Sequence, residues 1–302
     1  KPVWTQRFQG GLAAMAESVA RATFDKTRVG KFHDHAAQQR TSANALAYQR
    51  YLEADFRGAV RADPKYAAAW ARLGEWKKAL ALSPDLPDAH AAHARALWTP
   101  AEHFAIQDAT EEYRRAIAAD PQMADARCEL SWILLHQASF QQAAAEAEAA
   151  TNFDPTDPDY RFHLALVRLY SGQYQEAVEL FKQVPRERHP LMWYSHAAWA
   201  HLELHQTTRA AYYLEEYDRR YGIDTDGLMS SVYAMLQARF NNQRQATAAI
   251  AAALEDPGDH GYFHHTAYFV AKAYASLHQP EDSAFWLKQA KSNGFPAPPA
   301  IK

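Results

Sequence analysis

Along this chain apolar residues recur at spacings of three and four, rarely in strict alternation, through one long stretch after another. That period gathers side chains on one stripe of a helix. Tyr160, Leu164 and Val167 share such a stripe; Ser171 and Gly172 then interrupt the run, and Ala177, Val178 and Phe181 begin a second stripe. A break of this kind between two amphipathic segments predicts a helix hairpin. The hairpin recurs. Ala109, Ala143, Ala177 and Ala211 stand 34 residues apart, as do Leu130 and Leu164, Ala116 and Ala150, and the Asp-Pro pairs beginning at Asp120 and Asp154. Large residues and helix-ending prolines keep the same phase as the alanines, so abundance of alanine does not explain the register, and a repeat architecture follows. One hairpin alone leaves an apolar face bare, whereas stacked copies cover it.

The best unit runs from about Pro158 to His189 and carries Leu164, Ala165, Gly172, Tyr174, Ala177 and Phe181, with Pro190 just after it. In this order of leucine and small residue, glycine-aromatic turn, small residue, bulky residue and closing proline, it resembles the tetratricopeptide repeat. The resemblance covers roughly residues 42 to 296. It implies an all-α, right-handed solenoid of helix-turn-helix repeats, about five of them clear and the upstream ones irregular. Residues 124–155 fit well, 90–121 moderately, and 264–292 recover the pattern after weaker matches at 192–221 and 226–257. In the 192–221 window Asp218 stands where an apolar residue is usual, so that repeat is expected to meet solvent there.

The expected organisation is an N-terminal helical segment, 1–41, with a short stripe of Leu12, Met15, Ala16 and Val19; a repeat array, 42–292; and a C-terminal tail, 293–302. Upstream the array departs from its period. Ala67 to Gly74 reads as a first helix and Trp76 to Pro84 as the end of a second, and Pro64 and Pro84 are 20 residues apart instead of 34. Either this unit is natively truncated or residues are absent between Gly74 and Trp76; absence is the expectation, because a first helix joined directly to the end of a second leaves no hairpin to bury either face. The entry segment around Tyr48, Tyr51 and Tyr66, and the ending Asn293, Gly294, Phe295 and Pro296, are similar to repeat arrays appended to bacterial signalling proteins. No kinase, cyclase or DNA-reading motif accompanies them, so none of those activities carries over.

Composition narrows the field further. Hydrophobic residues at 48% and charged ones at 22% suit a folded chain that is expected to be soluble. A net charge of -3 supplies no basic field to gather phosphates, which excludes a general nucleic-acid binder. No run approaches the ~20 apolar residues of a membrane-spanning helix. The start, Lys1 to Trp4, lacks the apolar run of a signal peptide, and its lack of Met leaves room for a leader, an anchor or a preceding domain. Cys128 is the single cysteine, so internal disulfides and multi-thiolate metal sites are excluded and the compartment stays open, cytoplasm ahead of periplasm.

The chemical candidates are histidines. His201 and His205 lie four apart, a spacing that two-histidine zinc sites use, but no further ligand is in sight. With His90 and His93, His33 and His35, and a loop cluster of His260, His264 and His265, they are expected to be solvent-facing or helix-start residues. Cys128 and His136 are about 12 Å apart along one helix, too far for a thiolate pair. No Gly-x-Ser-x-Gly, phosphate-binding loop or Gly-x-Gly-x-x-Gly occurs, and the expectation is no catalytic, cofactor or metal residue.

The family resemblance points instead to a surface. One stripe of each first helix lines the concave face of such superhelices, and that phase carried onto this chain gives Cys128, Trp132, His136, Asp159, Phe162, Leu166, Tyr170, Trp193, His196, His265 and Tyr268. An aromatic-rich lining can anchor a partner segment; the competing reading is that these rings pack against neighbouring repeats. The Lys/Asn/Arg clamp of chaperone-binding members is missing, its places held by Cys128, Trp132, Asp159 and Phe162. The functional expectation is a non-catalytic scaffold or adaptor that holds a protein or peptide in its concave groove, as part of a larger complex. The alternatives are a ligand- or peptide-sensing regulatory module of a larger signalling protein, and a metal-assisted enzyme using His201 and His205.

Overall fold

A computed structural model of the protein describes residues 40–255, 261–293 and 295. The stripe Leu12, Met15, Ala16 and Val19, the histidines His33, His35 and His260, and the tail except Asn293 and Phe295 lie outside those residues. Among the described residues there are sixteen α-helices and no strand. The first eight are α1 (Ala45–Leu52), α2 (Phe56–Ala62), α3 (Ala67–Arg72), α4 (Trp76–Leu82), α5 (Pro87–Leu97), α6 (Ile106–Ala119), α7 (Ala124–His136) and α8 (Phe140–Phe153). The second eight are α9 (Pro158–Tyr170), α10 (Tyr174–Phe181), α11 (Pro190–Glu203), α12 (Thr207–Arg220), α13 (Leu228–Arg239), α14 (Gln243–Ala253), α15 (Phe263–Ser276) and α16 (Pro280–Ser292). The chain divides into two compact units: one reaching to Ile133 and including Asn152–Asp154, the other made of Leu134–Thr151 and Pro155 onward. This boundary falls inside α7, within what the sequence reads as one continuous array.

In the first unit α1 packs on α2, α3 on α4 and α5 on α6, and α3 also meets α5. In the second unit the couples are α9 with α10, α11 with α12, α13 with α14 and α15 with α16. There the first helix of each couple packs on the first helix of the next, α9 on α11, α11 on α13 and α13 on α15. The windows 192–221, 226–257 and 264–292 coincide with the last three couples.

The junctions explain why the prolines keep phase. Asp63, Ser83 and Asp120 each precede a proline, take extended backbone and end α2, α4 and α6, because a proline disfavours helical backbone in the residue before it. Asp63 and Asp120 also accept from the backbone N–H two residues on, at 3.0 and 3.2 Å. The side chain six residues after each proline then ties back to that proline's carbonyl. Trp70 donates to Pro64 at 2.8 Å, His90 to Pro84 at 3.0 Å, Arg127 to Pro121 at 2.9 Å and Arg161 to Pro155 at 2.7 Å. A fixed proline thus anchors the entry of α3, α5, α7 and α9.

The upstream departure closes into a hairpin. α3 and α4 pair across Leu73 and Gly74, so the expectation that no hairpin could form there is corrected. Two features let helices this short pack. Gly74 turns the chain with φ of +79°, and Ala68, Ala69, Ala79 and Ala89 are fully buried, which brings backbones close together. Left-handed residues recur at the turn within each of these seven couples, Ala54, Gly74, Phe104, Gly172, His205, Asn241 and His278, and one more, Ala138, stands between α7 and α8. Glycine fills only two of those eight turns.

Candidate functional site

The second unit draws four of the expected groove residues into one buried cluster. Tyr170 ends α9, His196 lies mid-way along α11, and His265 and Tyr268 sit a turn apart on α15; all four are at most 2% exposed. The Tyr170 hydroxyl is 2.9 Å from His196 Nε2 and 2.5 Å from His265 Nδ1. Ser195 Oγ donates to the Leu191 carbonyl at 2.8 Å, which leaves that oxygen to accept from His196 Nδ1 at 2.9 Å. His196 Nε2 is then an acceptor, so Tyr170 donates to it and accepts from His265 Nδ1–H. The order of protons is His265 to Tyr170 to His196 to Ser195 to the Leu191 carbonyl.

This line of serine, histidine and tyrosine has the look of a catalytic relay, but Ser195 is 0% exposed and its proton is committed to a carbonyl. No solute reaches it. Burial pushes His196 and His264 down to about 3 and His265 well below the usual histidine range, and it pushes the Tyr170 phenol well above its ordinary value. All of these groups are neutral at pH 7. The rings of Trp199 and Phe269 close the sides, with Trp199 edge-on to Tyr170 at 5.2 Å. Phe295, from the segment after α16, covers the remaining side: it stacks on Tyr268 at 4.1 Å and 16°, stands 5.5 Å from Tyr170 and is 5% exposed.

The lining predicted from the concave stripe is therefore corrected. Of its eleven residues eight are buried: Cys128, Phe162, Leu166, Tyr170, Trp193, His196, His265 and Tyr268. Trp132, His136 and Asp159 are partly exposed. Phe162 stacks on His189 at 4.7 Å and meets Phe181 edge-on. Trp193 donates its indole N–H to the Phe181 carbonyl at 3.1 Å and packs between Phe181 and Tyr213. Asp159 accepts two bonds from Arg188, both at 2.8 Å, and one from His189 at 3.0 Å. The Arg188 bonds hold its carboxyl below the usual range. For the seven buried lining residues that lie in the second unit, the physical reason for the burial is that its first helices pack on one another along this stripe.

Two histidine expectations change as well. His201 is buried, bonded through Nδ1 to Gln206 Oε1 at 2.6 Å, while His205 is exposed at the turn before α12, so the pair does not converge. His264 and His265 belong to α15 and not to a loop; their rings are 4.0 Å apart, and His264 Nε2 has no hydrogen-bond partner. Among the described residues no three His, Cys, Asp or Glu side chains converge as metal ligands.

Among the open concave spaces, two stand out by their lining. In the first unit a polar pocket of about 360 Å³ is lined by Arg72, Asp88, Arg95, Asp125 and Glu129 among others. Burial pushes the Glu129 carboxyl up, opposed by the charge of Arg95. Arg40 bonds Asp88 at 2.5 Å and Asp120 at 2.8 Å beside it. In the second unit a larger groove, about 600 Å³, runs between α12 and α13. Leu214, Met229 and Leu236 form its buried floor, while Tyr233, Phe240 and Ile223 are 40%, 57% and 68% exposed along it.

The long connection from Tyr221 to Gly227 holds this groove apart. Tyr217 donates to the Ile223 carbonyl at 2.7 Å, and both Asp224 oxygens accept from the first turn of α13, Met229 N–H at 2.7 Å and Ser230 N–H at 2.8 Å. Gly227, with φ of +67°, comes so near the Ala253 carbonyl that a Cβ would lie 2.0 Å from its oxygen. Sequence reasoning did not find this groove. Its one signal was Asp218, an exposed charge at an apolar repeat position, which lines it.

No family model matches the chain, and no curated protein matches it in sequence. Solved structures do. The chain is similar to the APC/C hetero-tetramer Cut9-Hcn1, with a TM-score of 0.55 at 12% identity over 92% of this chain and 52% of that one. It is similar to a tetratricopeptide repeat protein from Parabacteroides merdae, with a TM-score of 0.52 at 13% identity over 78% of this chain and 96% of that one. Pseudomonas aeruginosa PilF matches at a TM-score of 0.48 and 21% identity, over 71% and 90% of the two chains. Taken with the couples of packed helices, the first two likenesses give the chain the tetratricopeptide-repeat fold, an all-α solenoid.

Proposed function

We propose that this chain is a non-catalytic scaffold that holds a segment of a partner protein. The observation that carries the reading is the open apolar groove between α12 and α13, flanked by Ile223, Tyr233 and Phe240. Large exposed apolar side chains gathered round one groove mark an interaction site more than scattered ones do. The fold supports it: Cut9, which shares the architecture, is described as part of a hetero-tetramer. The buried relay around Tyr170 supports the non-catalytic part, since its polar atoms serve one another. Most of the concave stripe is buried, with Trp132, His136 and Asp159 partly exposed, which favours the α12–α13 groove as the docking face.

Affinity would come from covering the groove's apolar floor and specificity from its polar rim. Capture on the immobilised chain, identification by mass spectrometry, and mixing of the purified pair test the proposal. A stoichiometric complex that co-elutes in size-exclusion chromatography is the expected result. A chain that forms no protein complex and instead turns over a small molecule overturns it.

A further inference from the structure

The same groove specifies the chemistry of its occupant, an inference that rests on the scaffold reading. Its walls are helical on both sides, and the charged side chains in its lining are of one sign. From α12 it takes Ala211, Leu214, Glu215 and Asp218, and from α13 Met229, Tyr233, Leu236 and Phe240. Both sets follow the three-and-four spacing of a single helix face, so the groove is a trough between two helical ridges, the shape that accepts a third helix. The lining runs from Ala211 to Asp218 on α12 and from Met229 to Phe240 on α13, which at 1.5 Å per residue is a trough of roughly 10–17 Å, room for two to three turns.

Glu215, Asp218 and Asp224 line the trough, and among the described residues no lysine or arginine does. Glu215 and Asp218 are exposed. Asp224 caps α13 through backbone N–H groups, which leaves its charge uncancelled by any cation. The nearby Arg220 is turned toward Glu187 and Glu216 instead. An apolar floor with an acidic margin repels phosphate backbones and attracts cations.

We infer that the α12–α13 trough binds an amphipathic helix of a partner protein, with apolar residues at i, i+4 and i+7 set into the floor and lysine or arginine along the flanks. The apolar anchors supply the contact, and the acidic margin sets orientation and excludes acidic helices.

The test uses the whole chain and two dye-labelled, helix-forming peptides of about 16 residues with identical leucine positions, one flanked by lysines and the other by glutamates. Fluorescence anisotropy should find the lysine peptide binding at least about tenfold more tightly, with the difference shrinking at about 1 M salt, where charges are screened within ~3 Å. In the double variant Glu215→Lys/Asp218→Lys, both sites being exposed, the preference should reverse. Phe240→Ser should weaken the lysine peptide without changing helicity by circular dichroism. Equal binding of the two peptides, binding of neither, or a preference that the charge reversal leaves unmoved overturns the inference. So does sedimentation showing a dimer that Phe240→Ser dissolves, since a second copy would then be the occupant. If the partner captured by the wild-type chain is retained by the charge-reversed variant, the scaffold stands and this trough is not its docking site; if no partner is captured at all, the scaffold reading itself fails.

Discussion

The short hairpins α1 to α4 and the long helices α9, α11, α13 and α15 follow the same rule, helix couples stacked in series, and hold it by opposite means. In the first region the contacts are made by alanines: Ala47, Ala59, Ala68, Ala69 and Ala79 are fully buried, and helices of six to eight residues stay paired because their backbones nearly touch. In the second region the space between first helices is filled by Tyr170, Trp193, Tyr194, Trp199 and Phe269, all at most 2% exposed, with two buried histidines bonded to the Tyr170 hydroxyl. Small residues permit close approach and large rings permit long reach. One fold therefore tolerates two packing chemistries, and each is vulnerable where the other is not.

The largest effect expected is the loss of a ring. Trp199→Ala should lower stability by about 3–5 kcal/mol in urea denaturation, since the ring touches Tyr170, Tyr268 and Phe269 and nothing nearby can fill the hole. The reciprocal change, Ala69→Leu, should cost about 1–3 kcal/mol by overpacking. If Trp199→Ala costs less than Ala69→Leu, the contrast between the regions is wrong.

An intermediate effect should appear with acid. His196 and His264 are held neutral, pushed down to about 3, whereas in the unfolded chain a histidine titrates near 6.5. The unfolded state therefore takes up protons first. Stability contributed by these groups is fully present above about pH 6.5 and falls steadily as pH drops toward 3. Melting curves between pH 7 and 4 should show this decline, and His264→Phe, which removes one of the titrating rings, should flatten it. A melting temperature independent of pH over that interval would contradict the buried neutral cluster.

The smallest effects concern the turns, where the two regions should agree. Gly74→Ala and Gly172→Ala put a Cβ on residues with φ of +79° but open surroundings, so each should cost about 1 kcal/mol from backbone strain alone. Ala54→Gly should change stability the other way, by at most a comparable amount, because Ala54 already holds φ of +58°. Chemical denaturation of the three variants would place the turns on one common scale or separate them.

What was legible in the sequence was phase. Leu164, Ala165, Ala177 and Phe181 sit in the register that the packing uses, and the Asp-Pro pairs mark the junctions because proline acts locally, on the residue before it. The turns were less legible: Ala54, His205, Asn241 and His278 adopt left-handed backbone without glycine between helices that pack on each other, which local propensity does not announce. The site was least legible. A helical stripe reveals that Tyr170, His196 and Tyr268 face one way, but not whether they face solvent or each other, and pairing Tyr170 with His265 spans 95 residues. The α12–α13 groove depends on a connection, Tyr221 to Gly227, whose geometry rests on Asp224 and on the close approach of Gly227 to Ala253. Only the misplaced charge of Asp218 hinted at it.

Phe295 has a practical bearing on where a recombinant fragment should stop. Counting repeat periods would end the fragment at Ser292, the last residue of α16, and would discard the ring stacked on Tyr268. Such a fragment would bare the edges of Tyr170 and His265 to water and expose a sticky apolar hole, inviting aggregation that could be mistaken for genuine self-assembly. Keeping Phe295 avoids that artefact.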